Sequence, residues 1–224
     1  MEIKKITIEE VKNDPVVITY ITKADKVMKA IGYTEHGDRH ADLVSKIAFN
    51  ILNRLDYSQR EAELVAIAGY LHDIGNMVNR KDHYLISAVI ARDILQRLGM
   101  NSEEVSIIMS AIGNHEEKSG SAIDPITAAL ILADKSDVHR SRVRRELTEY
   151  AFDIHDRVNY AVTHSFIRVN NKEKKIALEL EIDTNISQVM DYFEIFLDRM
   201  TMCRKAAIVL GCEFEIIING TKLL

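Results

Sequence analysis

The chain has 224 residues, enough to bury roughly 70% of the surface that it exposes when unfolded, and its 47% hydrophobic and 28% charged residues are typical of a globular protein. Its net charge of -5, from 34 acidic and 29 basic residues, argues against general nucleic-acid binding but permits a local basic patch. Two cysteines, Cys203 and Cys212, are too few for a disulfide framework, and no apolar stretch could cross a bilayer. We therefore expect a cytoplasmic protein that is neither exported nor membrane-embedded.

Helical patterns dominate the chain as far as about Glu149. Ser58 with Glu61 forms a capping box, and Asp124 before Pro125 is typical of a helix start. The predicted helical segments are a short one opened by a capping box of Thr7 and Glu10, then VVITYITKADKVMKAIG, HADLVSKIAFNILNRL, LVAIAGYLHDIG, HYLISAVIARDILQRLG, VSIIMSAIGNH and ITAALILADKSDVHRSRV. The segment that ends in YLHDIG is apolar nearly all round, so we expect it to be central.

The hydrophobic period changes from helical to alternating after about Ala161. Apolar residues alternate with polar ones on both sides of the turn-like NNKEKK, which predicts an antiparallel hairpin, and a long helix from about Ile186 to Leu210 precedes a closing strand in EFEIIING. The predicted fold class is therefore mainly α: a helical body over residues 1–150 and a small C-terminal α+β appendage over 151–224, with antiparallel strands plus a long helix, packed on that body.

Polar, metal-capable side chains stand at helix ends or on inward faces of the predicted bundle. Neutral imidazoles and carboxylates are ligands for zinc, iron, manganese or nickel, and bundle cores build such sites from facing helices. Any single histidine is more often a surface or hydrogen-bonded core residue, and a buried aspartate could instead pair with a cation. The candidates are His40, His72, Asp73, His83, His115 and Asp134.

The segments RHADLVSKIA, LHDIGN, DHYLISAVIARDIL, NHEE and ILADKSD, over residues 36–140, resemble in their order the HD-domain superfamily of metal-dependent phosphohydrolases. The resemblance implies an HD-domain helical bundle that binds one or two divalent transition-metal ions, such as Fe, Mn, Zn or Ni. It implies that the first ion is bound by His40, His72, Asp73 and Asp134, and a second by His83 and His115 with Asp73 as a bridging and catalytic group.

The spacing of the motifs is most similar to that of small bacterial binuclear HD hydrolases, which cleave dinucleoside polyphosphates. It is less similar to that of the cyclic-dinucleotide phosphodiesterases, whose GYP element is missing here. Many binuclear relatives have lysine where this chain has Asn76. The cation expected to polarise the phosphate is therefore absent or supplied by another residue.

A run of cations, DKSDVHRSRVRRE, follows the last candidate ligand. Long side chains one or two helical turns past Asp134 could reach phosphate oxygens, so we expect Lys135 to be catalytic and Arg140 and Arg142 to bind substrate. The later arginines, including Arg144 and Arg145, could equally form a solvated face. His36 is either a substrate-binding residue or a plain loop residue, and Glu116 could orient His115 through its other ring nitrogen.

These features favour a phosphohydrolase in which a metal-activated water cleaves a phosphoester or phosphoanhydride of a small phosphorylated metabolite or nucleotide. The alternative is a non-catalytic sensor that binds a phosphorylated ligand in a degenerate pocket, which Asn76 supports modestly. Nucleic-acid binding through the arginine run is the weakest hypothesis, because the chain is acidic. The stripe VMDYFEIFLDRM fits core packing or a homodimer surface better than a cofactor site.

Overall fold

The structure is a computed structural model that describes residues 5–144 and 154–223. It confirms a mainly helical fold with a small sheet at the C-terminal end. The helices are α1 (Ile8–Lys12), α2 (Pro15–Ala30), α3 (Asp38–Arg54), α4 (Gln59–Leu71), α5 (His83–Leu98), α6 (Ser102–Gly113), α7 (Pro125–Ser136), α8 (Ile154–Ala161) and α9 (Val189–Val209), with 3₁₀ turns at Ile74–Met77 and Arg140–Arg142.

The predicted start signals act as caps in the structure. Ser58 and Glu61 form a reciprocal capping box at α4, as Thr7 and Glu10 do at α1. Asp124 accepts a hydrogen bond from the Thr127 amide at the start of α7, where Pro125 is the first helical residue. These side chains satisfy amide groups that a helix cannot pair internally.

Helix α4 lies in the centre of the bundle, as its all-round apolar sequence predicts. Every residue from Leu64 to Leu71 is buried, and the helix packs against α3, α6 and α7. At Gly69 an added Cβ would lie 3.0 Å from the Cα of Ser45, so glycine permits the close approach of α3 and α4. That approach brings the start of α3 to the end of α4.

Helix α7 is shorter than predicted. The sequence pattern predicts a helix from Ile126 to Val143, but α7 ends at Ser136, and Asp137 leaves helical geometry with a ψ of 71°. The Asp137 carboxylate bonds to side chains of α3 instead of remaining on a helix surface. Arg142 consequently lies in a separate 3₁₀ turn, and its predicted placement on the helix of Asp134 is wrong, as is that of Arg140.

The sheet has the order β1 (Val162–Asn170), β2 (Lys175–Ile182), β3 (Glu213–Ile218), β4 (Thr221–Lys222). The predicted hairpin is confirmed, because β1 and β2 pair antiparallel across the NNKEKK turn. The closing strand β3 pairs parallel to β2, with α9 as the crossover between them. The antiparallel appendage predicted from sequence therefore contains one parallel pair.

One continuous hydrophobic core joins the bundle to the sheet and α9. Helix α9 packs on both α7 and β3, and Tyr192 and Phe196 on α9 are almost completely buried. The division predicted between residues 150 and 151 falls outside the described residues, as does Arg145, and it stays a prediction. Across the described ranges, no helix combines the length and apolarity that membrane crossing requires.

Asp14 provides a test of how the N-terminal helices are fixed to the bundle. It caps α2 through the amides of Val16 and Val17 and accepts two hydrogen bonds from Arg97 on α5, at 2.8 and 3.0 Å. We expect Asp14→Ala to lower the free energy of unfolding by about 1–2 kcal/mol, measured by chemical denaturation at neutral pH.

The same variant has a predicted pH dependence. The hydrogen bond from Arg97 is the largest effect on the Asp14 carboxyl, and its pKa is lowered in the folded protein. The stabilisation is therefore complete above the unfolded pKa of about 3.9 and is lost as the pH falls through the lower, folded value, so the two proteins should converge in acid. The exposed Asp93→Ala serves as control, with an expected change below about 0.5 kcal/mol. Equal stability of wild type and Asp14→Ala at neutral pH would contradict the assignment.

Candidate metal centre

The structure brings all six predicted metal ligands together in the interior of the bundle. They come from three helices and from residues next to helix ends, and all are buried. We call this group the histidine–aspartate cluster; its members are His40 on α3, His72 at the end of α4, Asp73 before the first 3₁₀ turn, His83 at the start of α5, His115 after α6, and Asp134 in α7.

One half of the cluster surrounds a carboxylate oxygen of Asp134. The Nε2 atoms of His40 and His72 lie 3.4 and 3.5 Å from Asp134 Oδ1. Asp73 Oδ2 lies 3.5 Å from His72 Nε2 and 3.8 Å from His40 Nε2. Four side chains therefore direct one donor atom each toward a common centre, and three of them, His40, His72 and Asp134, have mutually close ligand atoms.

The other half of the cluster surrounds the second oxygen of Asp73. His83 Nε2 lies 3.1 Å and His115 Nε2 4.0 Å from Asp73 Oδ1, and the two nitrogens are 3.3 Å apart. His72, Asp73 and His115 also form a group whose ligand atoms could bind one ion. Asp73 thus faces both halves with different oxygens, an arrangement that supports the predicted bridging role.

All four cluster histidines use Nδ1 for a hydrogen bond to a protein oxygen. Carbonyl and carboxylate oxygens only accept, so the hydrogen-bond pattern assigns the ring proton to Nδ1 and leaves the Nε2 lone pair directed into the cluster. The partners are the Asp137 carboxylate for His40 at 2.7 Å, and the carbonyls of Gly69, Arg80 and Ile112 for His72, His83 and His115 at 2.8, 3.1 and 2.6 Å.

Two of these nitrogens identify the chemistry that the cluster fits. The Nε2 atoms of His40 and His72 are buried and have no hydrogen-bond partner among the described residues. A buried acceptor without a partner is costly, and a divalent cation would satisfy both atoms. Neutral imidazole nitrogens with carboxylate oxygens are also the donor set of zinc, iron, manganese and nickel. The residues therefore fit a transition-metal ion.

Both carboxylates of the cluster are ionised in the folded protein. Burial opposes ionisation of Asp73, but the neighbouring imidazoles of His72 and His83 outweigh it, and the pKa of Asp73 lies well below its usual range. Burial likewise opposes ionisation of Asp134, but the charge of Lys135 outweighs burial and holds the pKa of Asp134 well below its usual range. The cluster therefore presents concentrated negative charge.

The turn after α4 positions Asp73 against the start of α5. Gly75 donates its amide hydrogen to the Ser87 hydroxyl at 2.8 Å. A Cβ at Gly75 would collide with the His83 carbonyl oxygen and would lie 2.6 Å from the Ser87 amide nitrogen. Only glycine permits this contact, so the HDIG sequence fixes the distance between Asp73 and His83.

The remaining predicted site residues lie in different environments. Lys135 is buried with Nζ 2.5 Å from Asp134 Oδ2, which keeps a cation beside the cluster. His36 donates from Nδ1 to the Thr34 carbonyl and accepts at Nε2 from Arg142, and burial holds its pKa well below the usual range. His36 is therefore neutral, and its two ring nitrogens are both engaged.

The two predicted substrate-binding arginines are separated. Arg142 is buried and donates to the carbonyls of Asp137 and Glu35 as well as to His36, so much of its bonding capacity is used within the fold. Arg140 lies over the ring of Tyr160, at 5.3 Å from its centroid, and lines neither the pocket at the cluster nor the adjoining cavity. A role for Arg140 in substrate binding stays a prediction.

A cavity of about 550 Å³ adjoins the cluster. Arg80 and Arg199 line both this cavity and the small pocket at the cluster itself. Neither was predicted: Arg80 lies in a short loop, and Arg199 lies on α9, far along the chain, where no local pattern separates it from other charged helix residues. The helix containing Arg199 is the long C-terminal helix whose role the sequence left unexplained.

Asn76 has a structural partner and a neighbouring cation. It is fully buried, and its Nδ2 donates to the Asp73 carbonyl at 3.0 Å. Arg80 lies next to it, with Nη1 3.4 Å from Asn76 Oδ1 and 3.9 Å from Asp73 Oδ1. A cation thus stands close to the position where many relatives have lysine.

Asp137 is a further site residue that sequence reasoning did not select, although it follows Asp134 in the same DKSD motif. Its carboxylate fixes the His40 ring and pairs with Arg39 at 2.9 Å. We expect Asp137→Asn to weaken metal affinity by about 10–100-fold, because a partner of this kind sets the orientation and basicity of a histidine ligand. Competition with a chromophoric chelator measures this affinity.

Asp42→Asn is the matched control for that variant. Asp42 lies on α3 with His40 but pairs with Lys12 and Lys46 away from the cluster, so metal affinity should be unchanged. Equal affinities of Asp137→Asn and wild type would exclude the orienting role.

Comparison with known proteins agrees with this geometry. The chain matches the HD domain over residues 37–194, a range that contains the whole histidine–aspartate cluster and the start of α9. It is 27% identical over 215 aligned residues to an uncharacterised protein of Methanocaldococcus jannaschii, covering 84% of this chain and 82% of that protein. It is 30% identical over 111 residues to an uncharacterised protein of Clostridium beijerinckii, covering 47% of this chain and 69% of that protein. The chain therefore belongs to the HD-domain family.

Proposed function

We propose that the protein is a metal-dependent phosphohydrolase that cleaves a phosphoester or phosphoanhydride of a small phosphorylated metabolite or nucleotide. The observation that carries the proposal is the convergence of four Nε2 atoms and two ionised carboxylates in a buried cluster, beside a cavity whose lining includes arginine and lysine side chains as well as acidic ones. Membership of the HD-domain family supports the same chemistry.

A divalent ion bound by the cluster would supply Lewis acidity and lower the pKa of water toward neutrality. Asp73 and Asp134 would accept hydrogen bonds from the attacking water, because both remain ionised. Lys135 would stabilise negative charge that develops on the phosphoryl oxygens. Burial opposes its charge, but the carboxylates of Asp134 and Glu117 outweigh burial and raise its pKa, so it stays charged beside the cluster.

A cysteine nucleophile does not fit the two thiols of this chain. Burial raises the pKa of Cys203 to about 12, and burial also raises the pKa of Cys212. Both therefore remain protonated thiols at neutral pH, and a thiol is a poor nucleophile. This supports direct attack by water.

We also propose that the protein is cytoplasmic, because its two free buried cysteines would remain reduced in that compartment. The homodimer suggested by the apolar stripe on α9 also stays a proposal; Met190 and Leu197 on that helix are 73% and 58% exposed.

The proposal is tested by metal analysis of the purified protein and by phosphate release from a panel of nucleotides and sugar phosphates. We expect bound transition metal, hydrolysis that chelation abolishes and added manganese, iron, zinc or nickel restores, and at least about a hundredfold loss in His72→Ala and Asp73→Asn.

His164→Gln is the control, because His164 lies on exposed β1 outside the cluster and should leave both metal content and hydrolysis unchanged. Tight binding of a phosphorylated ligand without metal-stimulated turnover would refute the phosphohydrolase proposal and favour the alternative of a non-catalytic sensor.

A further inference from the structure

The shape of the site limits how a substrate can reach the cluster. The pocket at the cluster has a volume of only about 20 Å³, room for roughly one water-sized group, whereas the adjoining cavity has about 550 Å³. The two share the lining residues His36, Arg80, Glu116, Glu117, Arg142 and Arg199. The bulk of a bound molecule must therefore occupy the cavity.

The lining residues that the small pocket does not share with the cavity are buried members of the cluster and Lys135. A phosphorus atom with a large substituent on each side would need a second space that opens onto the small pocket, and the other cavity near the cluster, of about 290 Å³ and lined by Asp137, shares no lining residue with that pocket. A terminal phosphate needs space on one side only. The shape thus favours a phosphate at the end of the substrate over an internal diester.

At the boundary between the pocket and the cavity, two arginines each stack on a different aromatic ring. The guanidinium of Arg199 lies 4.6 Å from the ring centroid of Phe196, and that of Arg80 lies 5.6 Å from the centroid of Tyr33. A guanidinium stacked on a ring is held in place while its N–H edge remains able to bind an anion.

Arg199 has bonding capacity that Arg142 lacks. Its Nε pairs with Glu117 Oε1 at 2.7 Å, and its two terminal nitrogens make no hydrogen bond to the described residues. In Arg142 both terminal nitrogens already donate to carbonyl oxygens of the fold. Arg199 therefore has terminal N–H groups able to bind a second anionic group while the first lies at the cluster, whereas Arg80 directs one terminal nitrogen to Asn76, His83 and Asp73 of the cluster side.

We propose that the substrate is a small molecule with a terminal phosphate and a second anionic group, and that Arg199, supplied by the C-terminal helix α9, binds this second group. Water would form a new bond to the terminal phosphorus, the bond from phosphorus to the leaving oxygen would break, and that oxygen would take up a proton as inorganic phosphate is released. This inference rests on the proposed function for its reaction and on Arg199 for its specificity.

The position of the phosphate is tested with two chromogenic esters that share one leaving group. With manganese present, para-nitrophenyl phosphate should be hydrolysed at least about a hundredfold faster than bis(para-nitrophenyl) phosphate. A preference for the diester would overturn the inference that the substrate has a terminal phosphate, but the proposed phosphohydrolase activity would stand. Hydrolysis of neither ester would count against the proposed function itself.

The second anionic group is tested by calorimetric titration, which needs no turnover. Methylenediphosphonate carries two anionic groups and methylphosphonate carries one, and neither is hydrolysed at phosphorus–carbon bonds by water attack. We expect wild type to bind the former at least about tenfold more tightly, the effect of one added charge-assisted hydrogen-bond pair. Arg199→Gln should abolish the preference while changing methylphosphonate affinity by less than about twofold, and Arg199→Lys should retain part of it.

Arg204→Gln is the matched control, because Arg204 is an exposed residue of the same helix that lines a different surface pocket. It should bind both phosphonates as wild type does. An Arg199→Gln protein that keeps the preference, or that loses affinity for both ligands equally, would overturn the role of Arg199. Circular dichroism of each variant separates such a result from a loss of fold.

Discussion

Two negative charges, on Asp73 and Asp134, lie buried in the middle of a helical bundle, and much of the surrounding structure compensates for them. Burial of an ionised carboxylate costs several kcal/mol unless cations or hydrogen bonds offset it. Here the compensation comes from imidazoles on one side and from the buried Lys135 on the other. A divalent cation among the Nε2 atoms would complete it, which is why the cluster is understood best as a binding site and not as a packing arrangement.

Helix ends supply the backbone groups that make this site possible. The last carbonyls of a helix lack an internal partner, and His72 and His115 each bond to the carbonyl three residues earlier at such an end. The same contact satisfies the backbone and directs Nε2 inward. A histidine in the middle of a helix would find that carbonyl already paired, so the location of these residues follows from their chemistry.

The sequence predicted the bundle, the hairpin and the six members of the cluster, because capping residues, hydrophobic period and the ordered HD motifs are local signals. It did not predict the end of α7, since Asp137 leaves the helix to bond with α3, a contact made across the fold. The parallel pairing of β3 and the arrival of Arg199 at the cavity also depend on tertiary packing. Long-range contacts of this kind leave no trace in residue spacing.

The four histidines of the cluster differ in how much of the fold must form before each has its Nε2 lone pair ready to bind a metal. Three take their Nδ1 partner from a carbonyl three residues away, so a single turn of local structure is enough to select their tautomer. His40 takes its partner from Asp137, 97 residues further along the chain. A folding intermediate with separate helices would therefore present three prepared ligands and an unprepared fourth. Full metal affinity would arise only when α3 and the end of α7 have docked, which makes metal uptake a reporter of that docking.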